Sequence, residues 1–261
     1  MTDTDVVKKG RQSRLRRWIQ FGFLGWAGVS TLWLANSFRT QGVSRAVLQN
    51  SPTVSVHDRA ETLEFSPVPA SSKAALLFIC GSGVAAPAYA PLLRPIAEEG
   101  HAVFVVKLPY RFAFLESQKQ AAVARVSHTI AQHPERSNWV LAGHSLGGAL
   151  ACRVILGAPT PISALVLIGT THPKQQDLSA LTLPVTKVFA SQDGVAPVAK
   201  VQANKALLPP NTRWIEIQGG NHSQFGHYGH QLLDGKPTIS RAAQQEITRS
   251  ALLEALAGTQ P

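Results

Sequence analysis

The chain has 261 residues, of which 44% are hydrophobic and 15% charged, enough for one large domain with a substantial core and too apolar for a disordered chain. Its net charge of +10 is uneven: residues 1–45 carry eight Lys/Arg against Asp3 and Asp5, whereas the rest carries 17 Lys/Arg against 13 Asp/Glu. The body is therefore only mildly basic and has no basic stripe with interleaved aromatics, which argues against a nucleic-acid partner.

The N-terminus reads first as a targeting segment. The basic run from Lys8 to Arg17 precedes 21 uncharged residues, Trp18 to Phe38. As a helix that run would be about 31 Å long, the thickness of a bilayer core. Two readings stand. One is an uncleaved anchor through residues 18–38 with the C-terminal domain outside the cytoplasm; the other is a long signal peptide cut after Ser37, releasing a secreted or periplasmic protein. In both, residues 1–45 stand apart from a domain at 46–261.

The body then alternates. Two short alternating runs, 53–56 and 62–65, predict a hairpin. Strands are predicted at 74–80, 102–106, 139–142, 164–168, 184–190 and 214–217. Helices are predicted at 91–99, 117–132, 149–156, 197–208 and 242–256. Near-continuous apolar strands alternating with helices imply a mostly parallel, doubly wound α/β sheet with helices on both faces. Ligands gather at the C-terminal ends of such strands. Only about 15 residues, 169–183, separate two late strands, which leaves no room for a large lid. The site is expected to be open, bordered by loops 81–91, 108–116, 170–180 and 223–240, with Pro109–Leu115 either an apolar wall or ordinary packing.

The chemistry concentrates at three strand ends. Gly143-His144-Ser145-Leu146-Gly147-Gly148 follows one strand and opens a helix. That context makes G-x-S-x-G a nucleophile elbow, with Ser145 on a turn that only small neighbours permit. A serine hydroxyl needs a base. His222 follows the strand 214–217, and Asp193 follows 184–190, so the order Ser145, Asp193, His222 is the one this topology requires. His222 would be general base and then acid; Asp193 would fix its tautomer. Asp177 is a competing acid in a polar loop. The Leu146 N–H supplies one oxyanion donor and the loop 81–83 the other, from Ser82 or its neighbour Gly83. His222, His227 and His230 lie close in sequence but lack Cys or acidic partners at ligand spacing, so neither metal nor cofactor is expected. Cys80 and Cys152 read as core residues, with a bridge between them the alternative.

These residues resemble the α/β-hydrolase superfamily over roughly residues 74–257. More narrowly the chain is similar to a bacterial α/β hydrolase group related to dienelactone hydrolases. The likeness rests on Cys80-Gly81-Ser82-Gly83, Gly143–Gly148, Ser191-Gln192-Asp193-Gly194, the tract Gly219–Gly226, Asp234-Gly235 and Thr238–Arg241. It implies a triad at Ser145, Asp193 and His222. The chain departs from dienelactone hydrolases proper in carrying serine where they use a cysteine nucleophile. The expected activity is hydrolysis of small-molecule carboxylic esters or thioesters through an acyl-enzyme. The rivals are an acyltransferase or peptidase on the same triad, and a non-catalytic envelope-associated scaffold.

Overall fold

A computed structural model describes residues 3–71, 73–157 and 161–259, with side chains from residue 16 onward. The chain divides into two compact units, residues 1–37 and 38–261. The first is one helix, α1 (Asp3–Phe38). Residues 18–38, expected to span a membrane, are helical, but among the described residues no helix is long and apolar enough to cross one. Gln20, Ser30, Thr31 and Asn36, together with Gly22, Gly25 and Gly28, dilute the apolar run until its mean hydropathy falls short.

The second unit is built on one eight-stranded sheet in the order β1-β2-β4-β3-β5-β6-β7-β8. The strands are β1 (Val54–Asp58), β2 (Thr62–Pro67), β3 (Ala75–Ile79), β4 (Val103–Val106), β5 (Trp139–His144), β6 (Ile162–Ile168), β7 (Val185–Ala190) and β8 (Arg213–Ile217). The hairpin β1–β2 pairs antiparallel with itself and with β4, and all remaining pairings are parallel. The helices are α2 (Ala90–Glu98), α3 (Glu116–Ala131), α4 (Leu146–Leu156), α5 (Val198–Ala203) and α6 (Arg241–Ala257). α2 packs with α6, and α3 packs with α4, so the central strands are covered on both faces. Every residue of β3, β4, β5 and β7 is buried. This double covering is the reason those strands read as continuous apolar runs rather than alternating ones.

The predicted elements correspond closely. α4 begins three residues earlier than expected, because the glycines of the elbow are themselves the first turn. The run 197–208 divides into α5 and a 3-10 turn at Lys205–Leu207. Cys80 and Cys152 are both buried and free. Residues 38–45 join the body rather than the first unit: Gln41 N–H donates to the His227 carbonyl, and Thr40 bridges Tyr228.

Register positions the site. Gly143 on β5 pairs with Ile79 on β3 on one side and Leu167 on β6 on the other. The loops leaving β3, β5 and β6 therefore emerge side by side at the C-terminal edge.

One core residue breaks the apolar pattern. Lys187, in the middle of β7, is 1% exposed and its ammonium donates to the His172 carbonyl. Desolvation pushes its pKa down to about 7. The unfolded chain, near 10.5, holds a proton that the fold releases, so stability rises with pH between about 7 and 10.5. Below pH 7 the fold carries the whole cost of a charged, buried amine. Lys187→Met is expected to raise stability by about 2 kcal/mol at pH 6, with the gain shrinking toward pH 10. Urea unfolding at the two pH values checks this; an equal effect at both contradicts it.

Candidate active site

Ser145 occupies the hinge between β5 and α4 with φ 54° and ψ −117°. A non-glycine residue there stores roughly 1–3 kcal/mol of strain, which only over-determined surroundings hold in place. Those surroundings are visible. A Cβ on Gly143 would overlap the Gly147 carbonyl, and a Cβ on Gly147 would overlap the Ile79 carbonyl of β3. The elbow is thus pressed against both its own helix and the neighbouring strand. Ser145 N–H donates to the Ile168 carbonyl at 2.9 Å, tying the turn to β6.

Asp193 and His222, the expected orienter and base, come from the loops after β7 and β8. His222 Nδ1 lies 2.8 Å from Asp193 Oδ2, with both side chains almost fully buried. The other Asp193 oxygen accepts from the N–H groups of Val195 at 2.9 Å and Ala196 at 2.6 Å. A carboxylate so held accepts, so His222 donates from Nδ1 and its Nε2 keeps a lone pair. That Nε2 is buried and has no hydrogen-bond partner. Ser145 and His222 line one small cavity of about 100 Å³ together with Leu146, Thr170, His172 and Ala196. A second cavity of about 330 Å³ adjoins it through Leu146 and His172 and is walled by Lys119, Arg153 and Lys174. Asp177 is elsewhere engaged: its carboxylate accepts from Ser179 N–H in its own turn.

The loop after β3 is held by three different groups. Gly81 N–H donates to the Tyr89 hydroxyl at 3.0 Å, and that hydroxyl lies 2.8 Å from His144 Nδ1. Gly83 N–H donates to the Arg111 carbonyl at 2.7 Å, and Ser82 Oγ donates to the Phe112 carbonyl at 3.0 Å. Arg111 also donates its guanidinium to the carbonyls of Gly83 and Phe38. Of the two backbone donors considered, Gly83 is therefore engaged. The N–H of Ser82 has no partner among the described residues, and Leu146 N–H opens a helix whose first turn leaves it unpaired.

Within the segment 109–115, Pro109 and Ala113 are buried, and Ala113 belongs to the core. Tyr110, Phe114 and Leu115 are exposed, and Phe112 packs on Phe38 over Gly83. Tyr110, Arg111 and Ala113 all have positive φ. This strained loop serves as the outer clamp of residues 82–83.

His144, the variable residue of the elbow, is fully buried with its ring centre 4.7 Å from that of His222. Burial, and secondarily the neighbouring His222, holds its pKa well below the ordinary histidine value. It stays neutral and shares a hydrogen bond between its Nδ1 and the Tyr89 hydroxyl, linking the elbow to the loop after β3. No group of three His, Cys, Asp or Glu side chains among the described residues is arranged to hold a metal.

Several supporting residues lay outside the motifs. Tyr228 hydroxyl donates to the His222 carbonyl at 3.0 Å. Gln244 on α6 brackets Asn221, accepting from its N–H and donating to its carbonyl. Asp234 accepts from His222 N–H and from Ser223. In the sequence, of Tyr228, Gln244 and Asp234, only Asp234 gave a signal, as part of the family likeness carried by Asp234-Gly235.

Comparison places this architecture. The sequence profile of the alpha/beta hydrolase family matches residues 75–246, which contain the elbow, Asp193 and His222. No curated protein matches the sequence. Among solved structures, a predicted CIB-like hydrolase from Thermoplasma acidophilum is similar at TM-score 0.60 and 13% identity, over 77% of this chain and 99% of that one. A ferulic acid esterase from Streptomyces cinnamoneus is similar at TM-score 0.58 and 18% identity, over 74% and 68%. Est1E from Butyrivibrio proteoclasticus is similar at TM-score 0.54 and 16% identity, over 78% and 99%. With a profile match over most of its length and the sheet order and helix layers described, this chain belongs to the alpha/beta hydrolase family.

Proposed function

We propose that the protein is a serine hydrolase of carboxylic esters or thioesters, working through an acyl-enzyme on Ser145. The observation that carries this reading is the pair His222–Asp193 at 2.8 Å, with the opposite imidazole nitrogen free and buried beside the cavity that Ser145 lines. His222 Nε2 takes the hydroxyl proton as Ser145 Oγ attacks the ester carbon. Asp193 stabilises the imidazolium that forms. The oxyanion is received by the N–H groups of Leu146 and Ser82, both without competing acceptors. Collapse returns the proton to the leaving alcohol or thiol, and water repeats the sequence to release the acid. The likeness to the ferulic acid esterase from Streptomyces cinnamoneus agrees with this direction.

The cavity at Ser145, about 100 Å³, is below the roughly 300 Å³ at which ligand pockets begin. It suits the reacting group, with the larger part of the substrate in the adjoining cavity of about 330 Å³. A fluorophosphonate probe tests the reading on the full chain: labelling of the wild type that disappears in Ser145→Ala supports it. Folded wild-type protein that takes no label sinks it and leaves a non-catalytic scaffold. Labelled protein that transfers acyl groups to an alcohol faster than to water favours the transferase rival.

We also propose an extracytoplasmic location reached by cleavage after Ser37. The compact body starts at Phe38, the residue that such a cut would leave first. Intact mass of protein purified from the expressing cell's envelope or medium checks it; a chain that retains residues 1–37 contradicts it.

A further inference from the structure

We propose that Asp234 is a positioning residue for this reaction, a single carboxylate that holds the loop of the base and the loop of its orienter in one arrangement. The proposal rests on the serine reading above. Asp234 Oδ1 accepts from His222 N–H at 3.0 Å, from Gly235 N–H at 3.0 Å and, more weakly, from Gly194 N–H at 3.4 Å. Its Oδ2 accepts from Ser223 N–H at 2.8 Å and Ser223 Oγ at 2.7 Å. Five donors fill the roughly four lone-pair sites that a carboxylate offers. Only the bond to Gly235 is local. The others reach 11 to 40 residues back along the chain, to the residue after Asp193 and to His222 and Ser223 themselves.

Backbone packing fixes the same junction. A Cβ on Gly194 would overlap the Leu233 carbonyl, and a Cβ on Gly235 would overlap the Gln192 carbonyl. The segment 233–235 is therefore in main-chain contact with 192–194 at both ends, with the Asp234 side chain facing the base loop between them. His222 then has its N–H held by Asp234 and its carbonyl held by the Tyr228 hydroxyl. The imidazole has little freedom left besides its own side-chain torsions, and Asp193 takes up one of its nitrogens. An ordinary turn aspartate would stabilise only its own loop. This one sets the position of His222 relative to Asp193, where an error near 1 Å costs on the order of 100-fold in rate.

Asp234→Asn discriminates positioning from scaffolding. It keeps the shape of the side chain but turns an N–H₂ toward either His222 N–H or Ser223 N–H, a donor facing a donor. The test compares kcat and KM for p-nitrophenyl acetate, expressed per chain that reaches full fluorophosphonate labelling at long exposure, beside the thermal midpoint. The expected result is a fall in kcat of about 10- to 100-fold with KM within about threefold. Ser223→Ala removes only the Oγ–Oδ2 bond. It is expected to lower kcat several-fold and to be non-additive with Asp234→Asn. If Asp234→Asn does not fold, the kcat of Ser223→Ala decides alone: lowered supports the proposal, unchanged overturns it. A lower thermal midpoint with kcat per labelled chain unchanged also overturns it, because Asp234 is then scaffold only. A wild type that is never labelled overturns the serine reading, and this proposal with it.

Discussion

Ser145→Ala is expected to lower ester kcat by at least 10⁴-fold while leaving the fold and its thermal midpoint nearly unchanged. The methyl group fits wherever the serine Cβ now sits, and among the described residues no hydrogen bond depends on the Ser145 hydroxyl. The variant keeps the strained φ of 54°, because the clamps on the turn are the glycines at 143 and 147 and the bond from the backbone N–H to Ile168. Removing a nucleophile leaves only the residual rate from binding and the oxyanion donors, which in enzymes of this type lies about 10³–10⁴ above water. The measurement is burst and steady-state hydrolysis of a p-nitrophenyl ester. A loss of less than tenfold would mean that another group attacks, or that water is activated directly.

The second large effect is expected from Asp193→Asn, roughly 10⁴-fold in kcat at neutral pH with substrate binding little changed. Asp193 Oδ2 fixes the Nδ1–H tautomer of His222. An amide in its place can turn an N–H₂ toward Nδ1, so the imidazole flips to the Nε2–H tautomer and no longer accepts the serine proton. The amide also loses strength as acceptor for the N–H groups of Val195 and Ala196, which now bond Oδ1. Some loss of stability accompanies the kinetic effect, about 1–3 kcal/mol for a buried charged acceptor. Steady-state kinetics beside urea unfolding separate the two. A drop in stability with kcat intact would reduce Asp193 to a loop anchor.

The parts of this site that were legible in the sequence are those enforced by strong local rules. A parallel strand buried on both faces must be apolar throughout, so Leu76–Ile79 and Val140–Ala142 stand out without any structure. A serine on a strand-to-helix turn needs small neighbours, so Gly143 and Gly147 mark it. Chain order then pointed to Asp193 and His222, because sheet topology decides which later loops reach the elbow. The supporting groups were illegible for an equally physical reason. Tyr89 and Tyr228 act through their hydroxyls and Gln244 through its amide, on otherwise apolar or helical segments, and they reach backbone groups 8, 6 and 23 residues away. Nothing in a spacing pattern announces such bonds. Arg111 is a similar case: its carbonyl and guanidinium secure Gly83 only because three residues of its loop adopt positive φ.

The N-terminus shows the limit of counting charges. Twenty-one residues without a charge gave the length of a membrane span, yet glycines and uncharged polar residues leave that helix short of the apolarity a span requires. Lys187 makes the converse point. A charged residue type in an apolar strand reads as an interruption, whereas in the fold it is buried and hydrogen-bonded to the loop bearing His172, which lines both cavities.

The central claim is a covalent acyl-enzyme on Ser145. The direct measurement is intact-mass analysis of the full chain, quenched in acid during turnover of p-nitrophenyl acetate, followed by peptide mapping of the adduct. The account predicts one added acetyl group per chain, located on Ser145 and absent in Ser145→Ala. Turnover with no adduct at any quench time, or an adduct mapped to another residue, would contradict it.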